Sequence, residues 1–471
     1  MTELSELTAT EAARVIRNGD VSAEALTECL IERAGKYRHL NAFISFDADR
    51  AREAACDADK LRSRGGPLGR LHGVPLSLKD NIDTADFPTT AATPALRNNR
   101  PSADAPVAAA LRDAGAIVLG KNTMHELAFG ITCNNPAFGA ARNPYNPAMI
   151  PGGSSGGTGV AVAARLSAAG IGSDTGGSVR VPSALCGVAG LRPTLKRWSQ
   201  KGIVPIASTR DTAGPLARCV ADLSLLDSVV TGSKAAAPVA LSRLRLGIPR
   251  HYFWDNLDDD TARLCESVLA RLRSEGAELV EADLAGIGAL TEPVSFVIAL
   301  YEARRDLTAY LSEAGGALNF EDVVAGVSSP DVRATMESML KTDTQVPHEI
   351  YLHARDHHRP RLIAAYADYF ANHQIDAMVF PTTPLVARPI GEDDTVDYKG
   401  RRLPTFPTFI RNTDPGSNAG IPGISLPVGL STDGLPVGIA LDGPSGSDPR
   451  LLAIAAAIES VLPKIPPPPP L

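Results

Sequence analysis

Apolar positions recur along this chain at two spacings. Over residues 8–35 they fall at helical intervals and predict two helices. Thr8 and Glu11 have capping-box spacing at the head of the first, and Asn18-Gly19-Asp20 supplies the turn after it. From about residue 70, short apolar runs alternate with helical stretches. GVPLSLKD reads as a strand with Lys79 at its end, ADAPVAAALRDAG as a helix and AIVLG as a buried strand. The alternation returns in LRLGIPR, TARLCESVLARLRSEG and ELVEADL. DAMVF, ISLPVG and PVGIAL are late strands, and LLAIAAAIESVL closes as a helix. This order predicts an α/β fold, a large parallel or mixed sheet covered by helices on both faces.

No internal repeat and no long linker divides the chain. The expected organisation is an N-terminal helical region (1–65) packed on the core, one catalytic domain (66–463) and a proline-rich tail (464–471). The Ala-rich stretch 231–243 reads as a loop, and IPPPPPL as frayed polyproline II.

Of the 471 residues, 44% are hydrophobic, enough for a large core, and the net charge of −7 argues against a nucleic-acid partner. Six cysteines between Cys29 and Cys265 include no CxxC pair, which fits reduced thiols rather than a disulfide framework. MTELSELTATEAARV lacks an apolar leader core, and Arg165 and Glu459 interrupt the best candidate membrane spans. The expectation is a cytoplasmic protein with no membrane partner, whose N-terminal helices could serve a homodimer.

Two glycine-serine stretches carry the candidate chemistry. PGGSSGGTG (151–159) places Ser154 and Ser155 among glycines before a helical run. A phosphate cradle of the Walker type needs Lys-Ser/Thr after its glycines, and none follows. Gly152 to Gly156 match G-x-S-x-G, but no histidine stands in a distinctive context downstream. GIGSDTGGSVR (170–180) is the second stretch, and both precede helix N-termini, where free N–H groups point outward. Thr175-Gly176-Gly177-Ser178 can aim several amides at one point, as an oxyanion requires, and glycine lets backbone approach closely.

Together with KDNI (79–82), GGSSGG (152–157) and GSDTGGSVRVP (172–182) this chain resembles the amidase signature family. The segments keep the family's order, with 75 positions from Lys79 to Ser154 and 24 from Ser154 to Ser178. GKNTMHELAFGIT, RPTLKRWSQKGIVPI and IRNTDPGSNAGIPGISLPVG resemble its branch of indoleacetamide and mandelamide hydrolases. The resemblance implies the amidase signature fold and hydrolysis of a primary amide with an aromatic acyl group, such as indole-3-acetamide, without cofactor or metal. It implies a Ser–cis-Ser–Lys triad: Ser178 as nucleophile, Ser154 as relay with its Gly153 peptide bond in cis, and Lys79 as base. Thr175, Gly176, Gly177 and Ser178 would supply oxyanion N–H groups, and the backbone at Ala128 would help hold substrate. Asp174 and Arg180 would pair and brace the loop, with Ser173 supporting the network. Ser155 either shares the relay or satisfies loop amides. A lysine is a proton sink only when neutral, which needs a downward shift of roughly 3 units, about 4 kcal/mol, and burial at a strand end could supply it.

Other readings compete. Cys133 and Cys186 invite a nitrilase-type thiol mechanism, although a lone cysteine is more often a small core hydrophobe. His353 and His357, four apart near Glu349, could pair on a metal or sit on a solvated helix face. His125 reads as a packed or capping histidine, and Trp198 as a partly buried anchor or a pocket residue. Phe406, Phe409, Ile424 and Ile131 are pocket-wall candidates. The A subunit of a tRNA-dependent amidotransferase would share the triad but work inside a complex. A nucleotide-binding protein would need the lysine that the first glycine loop lacks.

Overall fold

The computed structural model describes residues 3–470. Thirteen strands are present among them: β1 (Phe43–Phe46), β2 (Pro75–Lys79), β3 (Ile117–Asn122), β4 (Ala169–Asp174), β5 (Ala189–Arg192), β6 (Thr212–Ala217), β7 (Arg245–Ile248), β8 (Glu278–Glu281), β9 (Ala377–Pro381), β10 (Thr395–Tyr398), β11 (Arg401–Pro404), β12 (Gly423–Leu430) and β13 (Pro436–Asp442). Eleven form one sheet in the order β1-β3-β2-β4-β6-β5-β12-β13-β9-β7-β8, and β10 and β11 make a separate hairpin. The sheet is mixed. β2 runs parallel to β3 and β4, β7 runs parallel to β8 and β9, and the strands between pair antiparallel.

The central strands are buried along their whole length, which is why their sequences lack the polar alternation of a half-exposed sheet. Leu76 and Leu78 of β2 join the main core with Ala169 and Ile171 of β4 and the helices Ala9–Asn18, Pro106–Asp113, Val220–Thr231 and Asp448–Glu459. The pleat turns Ser77 and Lys79 the other way, toward the helix Gly156–Ala163. That helix can lie close on the sheet because β4 offers it glycine. A Cβ on Gly170 would stand 2.5 Å from the Thr158 methyl.

At the N-terminus Thr8 accepts from Glu11 N, the Glu11 carboxylate accepts from Thr8 N, and Gly19 ends the helix in the left-handed region at φ 81°. Residues 287–373, between β8 and β9, form a run of helices that the sequence reading left unassigned. The stretch read as a glycine-serine loop at 170–180 is different: residues 169–174 are a buried strand, and only 175–179 form the turn before the helix Arg180–Cys186. β5 and β6 also went unread, since AGLR and TAGPLA carry small residues and a proline instead of a β-branched run. The proline tail is not free. Tyr145 Oη donates to Pro466 O at 2.9 Å, and Ile465 packs against the glycine that ends the Arg180–Cys186 helix, Gly187.

No described helix is long and apolar enough to cross a membrane. All six cysteines are free thiols.

Candidate active site

Three segments converge where β2 and β4 end side by side. Lys79 closes β2, Ser154 lies in the turn leading into the Gly156 helix, and Ser178 lies in the turn leading out of β4. The Gly153–Ser154 peptide bond is cis. Lys79 Nζ is fully buried and donates to Ser154 Oγ at 2.7 Å and to Ser173 Oγ at 2.9 Å. No carboxylate lies within ion-pairing distance of it among the described residues. Burial therefore dominates, and it pulls the amine down from its usual range to about 7, against weaker upward pulls from Cys133, Asp174 and Asp211. Asn81 also donates to Ser173 Oγ, at 3.0 Å, so this hydroxyl is held from two sides.

Ser155 bonds to main chain on both sides. Its Oγ donates to Ser173 O at 3.2 Å and accepts from Ser173 N at 3.3 Å, and its own N–H donates to Ser178 O at 3.1 Å. It thus satisfies loop amides and ties the two turns together. Ser178 Oγ makes no hydrogen bond with the described residues, and Ser178 lines a cavity. The N–H groups of Thr175, Gly176, Gly177 and Ser178 likewise have no acceptor among the described residues, whereas the next one, Val179 N, donates to Asp174 Oδ2 at 3.2 Å. Gly177 makes this strip possible: its φ of +140° suits glycine, and a Cβ there would meet Thr413 Oγ1 at 2.1 Å.

Beneath the strip lies a buried ionic network. Asp174 takes Arg180 Nε and Nη2 at 3.1 Å each and Arg192 Nη1 at 3.1 Å, all with fully buried side chains. Burial alone would push the Asp174 carboxyl up, but the two guanidinium groups reverse this and hold it well below the usual carboxylate range. Arg192 was not singled out from sequence. It stands outside the glycine-serine stretches, and only the pairing of β5 with β6 brings it in.

The cavity, about 240 Å³, opens from Ser178 and Ala128 outward. Phe129, Ile131, Ile206, Leu300, Phe406 and Ile410 give it an apolar wall, and Phe296 stands at its mouth 44% exposed, with its ring centroid 6.0 Å from that of Phe406. Of the expected wall residues, Ile131 and Phe406 line it, while Phe409 and Ile424 are wholly buried elsewhere. Arg210, Asp414, His125 and Asp331 are polar lining residues. Cys133 N donates to His125 Nδ1 at 3.2 Å, which leaves the proton on Nε2, 3.2 Å from the Asp331 carboxylate.

Other candidates lie apart from the site or are inert. Burial pushes the Cys133 thiol up to about 11 and Cys186 well above its ordinary value, the opposite of an activated thiolate. Trp198 is fully buried and donates to Asp227, so it is a core anchor rather than a pocket wall. His353 and His357 have ring centroids 4.8 Å apart on a polar helix, and no cluster of metal-ligating side chains occurs among the described residues.

The family model described as Amidase matches residues 25–452. The chain belongs to the amidase family. It is 47% identical to an indoleacetamide hydrolase of Agrobacterium vitis over 95% of each chain. It is 42% identical to a mandelamide hydrolase of Pseudomonas putida over 99% of this chain and 93% of that one. Its fold matches a peptide amidase of Stenotrophomonas maltophilia with a TM-score of 0.85, at 30% identity over 98% of both chains. The protein is therefore an enzyme that hydrolyses amides, on the amidase signature fold.

Proposed function

We propose that this amidase cleaves a neutral primary amide of an arylacetic acid, with indole-3-acetamide the leading substrate, and that Ser178, Ser154 and Lys79 carry the reaction. The observation that carries the reading is the contact of 2.7 Å between Ser154 Oγ and a buried amine held at about 7. Near neutral pH such an amine is uncharged in a substantial fraction of molecules and can accept a proton. Ser178 Oγ attacks the amide carbon. Its proton passes to Ser154 Oγ, which gives its own to Lys79 Nζ, since a hydroxyl both donates and accepts. The carbonyl oxygen becomes an oxyanion among the unpaired N–H groups of 175–178, donors fixed before the charge appears. The proton then returns through Ser154 to the amide nitrogen, the C–N bond breaks and ammonia leaves. Water hydrolyses the resulting ester by the same relay, releasing the carboxylate.

The apolar wall and the aromatic pair at the mouth support an aryl acyl group, as do the names of the relatives. Ammonia release from indoleacetamide, phenylacetamide, mandelamide, benzamide, malonamide and allophanate tests the substrate. Ser178→Ala beside the wild type tests the nucleophile, and mass spectrometry locates the acyl group. The expected result is turnover of the arylacetamides by the lone chain and an acyl adduct on Ser178. Activity only with added partner subunits, or an adduct on a thiol, overturns the proposal.

A further inference from the structure

Three side-chain hydrogen bonds hold the N–H strip at 175–178. Thr413 Oγ1 donates to Gly176 O at 2.7 Å, and Arg210 Nη2 donates to Thr175 O at 3.1 Å. In the third, Thr175 Oγ1 donates to Asp211 Oδ1 at 2.6 Å. Sheet register puts these two side by side, since Asp174 of β4 is paired with Thr212 of β6. The other Asp211 oxygen accepts from Ile206 N at 2.8 Å and Ala207 N at 2.9 Å. The carboxylate is thus 6% exposed and filled by neutral donors. Its neighbour Arg210 turns away, to Asp414 and to the carbonyl of Ser295.

Lys79 is in a matching position. It ends β2, which pairs with the opposite side of β4, and its Nζ also touches only neutral oxygens. The titratable groups whose charge reaches that amine are Cys133, Asp174 and Asp211. Burial keeps the Cys133 thiol protonated. Asp174 is neutralised by Arg180 and Arg192. Asp211 has no guanidinium or ammonium within 4 Å among the described residues, and only the more distant charge of Arg210 acts on it, so its charge is the least compensated of the three.

We infer that Asp211 is a positioning residue of the amidase reaction: it fixes the first residue of the N–H strip through Thr175 and sets a weakly compensated negative charge within reach of the buried lysine. The inference rests on the roles proposed above for Lys79 and Ser178. The two effects are separable. The hydrogen bond governs where the donors point when the oxyanion forms. The charge holds the proton on Lys79 more firmly and thereby sets the pH at which the amine becomes a base. Burial lifts Asp211 itself to about 6, partly offset by the Thr175 bond, so the carboxylate is mostly ionised near pH 7, where the lysine is half deprotonated.

Asp211→Asn removes the charge; with its single oxygen kept on Ile206 N and Ala207 N, its amide N–H donates to Thr175 Oγ1, so the Thr175 contact survives with its direction reversed. The acid limb of its pH profile of kcat/KM moves to lower pH by about half a unit or more. Thr175→Val removes the contact and leaves the carboxylate. Its kcat falls about tenfold or more with KM little changed, and Thr175→Ser restores it. An Asp211→Asn limb that coincides with the wild type overturns the charge role, and a Thr175→Val enzyme with wild-type kcat overturns the anchoring role. Should Asp211→Asn fail to melt cooperatively, the Val and Ser variants at 175 decide on kcat alone. Failure of the underlying triad reads out differently: Ser178→Ala would then still release ammonia, whereas failure of the Asp211 inference leaves that control inactive.

Discussion

Replacing Lys79 with methionine should abolish hydrolysis and stabilise the protein at pH 7. The side chain is fully buried with no charged partner, and the folded state holds its amine at about 7 against 10.5 for an ordinary solvated lysine. Between those values the unfolded chain binds more protons than the folded one, so stability rises with pH across that window and the deficit is complete below it. At about 1.4 kcal/mol per unit, a displacement of roughly 3.5 units amounts to about 4 kcal/mol at pH 7, where the folded amine is half protonated. Methionine matches the stem in length and removes this penalty. It also removes donors from Ser154 and Ser173, at about 1 kcal/mol each. The net expectation is about 2 kcal/mol of added stability at pH 7, shrinking with pH and reversing near pH 9, where the remaining protonation penalty no longer outweighs the two lost hydrogen bonds. Urea denaturation of both proteins at pH 7, 8.5 and 10 reads this directly, because other titrating groups cancel in the difference. A difference that stays flat across that range would show that the lysine is not depressed, and the argument for it as a neutral base would fall with it.

Further outcomes follow from the same geometry. The wild-type kcat/KM should rise with pH through about 7 with unit slope, since only the neutral amine accepts the relayed proton; an activity plateau extending to pH 5 contradicts this. Ser154→Ala should lower kcat by about 10²–10⁴-fold with a small change in KM, as measured by steady-state ammonia release. Asp174→Asn leaves Arg192 buried without a carboxylate and Arg180 with only Asp442, 3.7 Å away, so chemical denaturation should register a loss of about 3–5 kcal/mol. Phe296→Ala should raise KM for indoleacetamide about tenfold while leaving acetamide turnover nearly unchanged, because the ring at the cavity mouth can touch only an acyl group long enough to reach it.

The groups proposed to react could be singled out because the proposed chemistry needs unusual local sequence. Glycines crowd around Ser154 and Ser178, and Lys79 terminates a strand whose apolar run is visible by itself. The helices with strong periodicity, such as Asp259–Ser274, were legible for the ordinary reason of a one-sided apolar face. What stayed hidden is what depends on distant pairing. Nothing local in STRDTAGPLA reveals that Asp211 will meet Thr175, because the register of β6 against β4 brings them together. Arg192 and Arg210 look like scattered surface charges until the sheet buries them. Phe296 lies on a helix with ordinary spacing, and its place at the cavity mouth beside Phe406 depends on packing between segments far apart in the chain. The tail misled in the other direction: prolines cannot form a helix, but they can lie extended against a surface, and Tyr145 gives that stretch a hydrogen bond.

The cavity is assembled from two sources that the chain keeps well separated. Ser178, Ala128 and the wall residues Phe129, Ile131 and Ile206 come from segments before β6, whereas Phe296, Leu300, Asp331 and Phe406 come from segments after residue 287. Arg210 is the rivet between them, with one nitrogen on Thr175 O and another on Ser295 O. Selection can therefore recarve the acyl end freely so long as that guanidinium keeps both grips. A chimera carrying a relative's roof on this floor should inherit the donor's substrate preference and retain this chain's pH dependence.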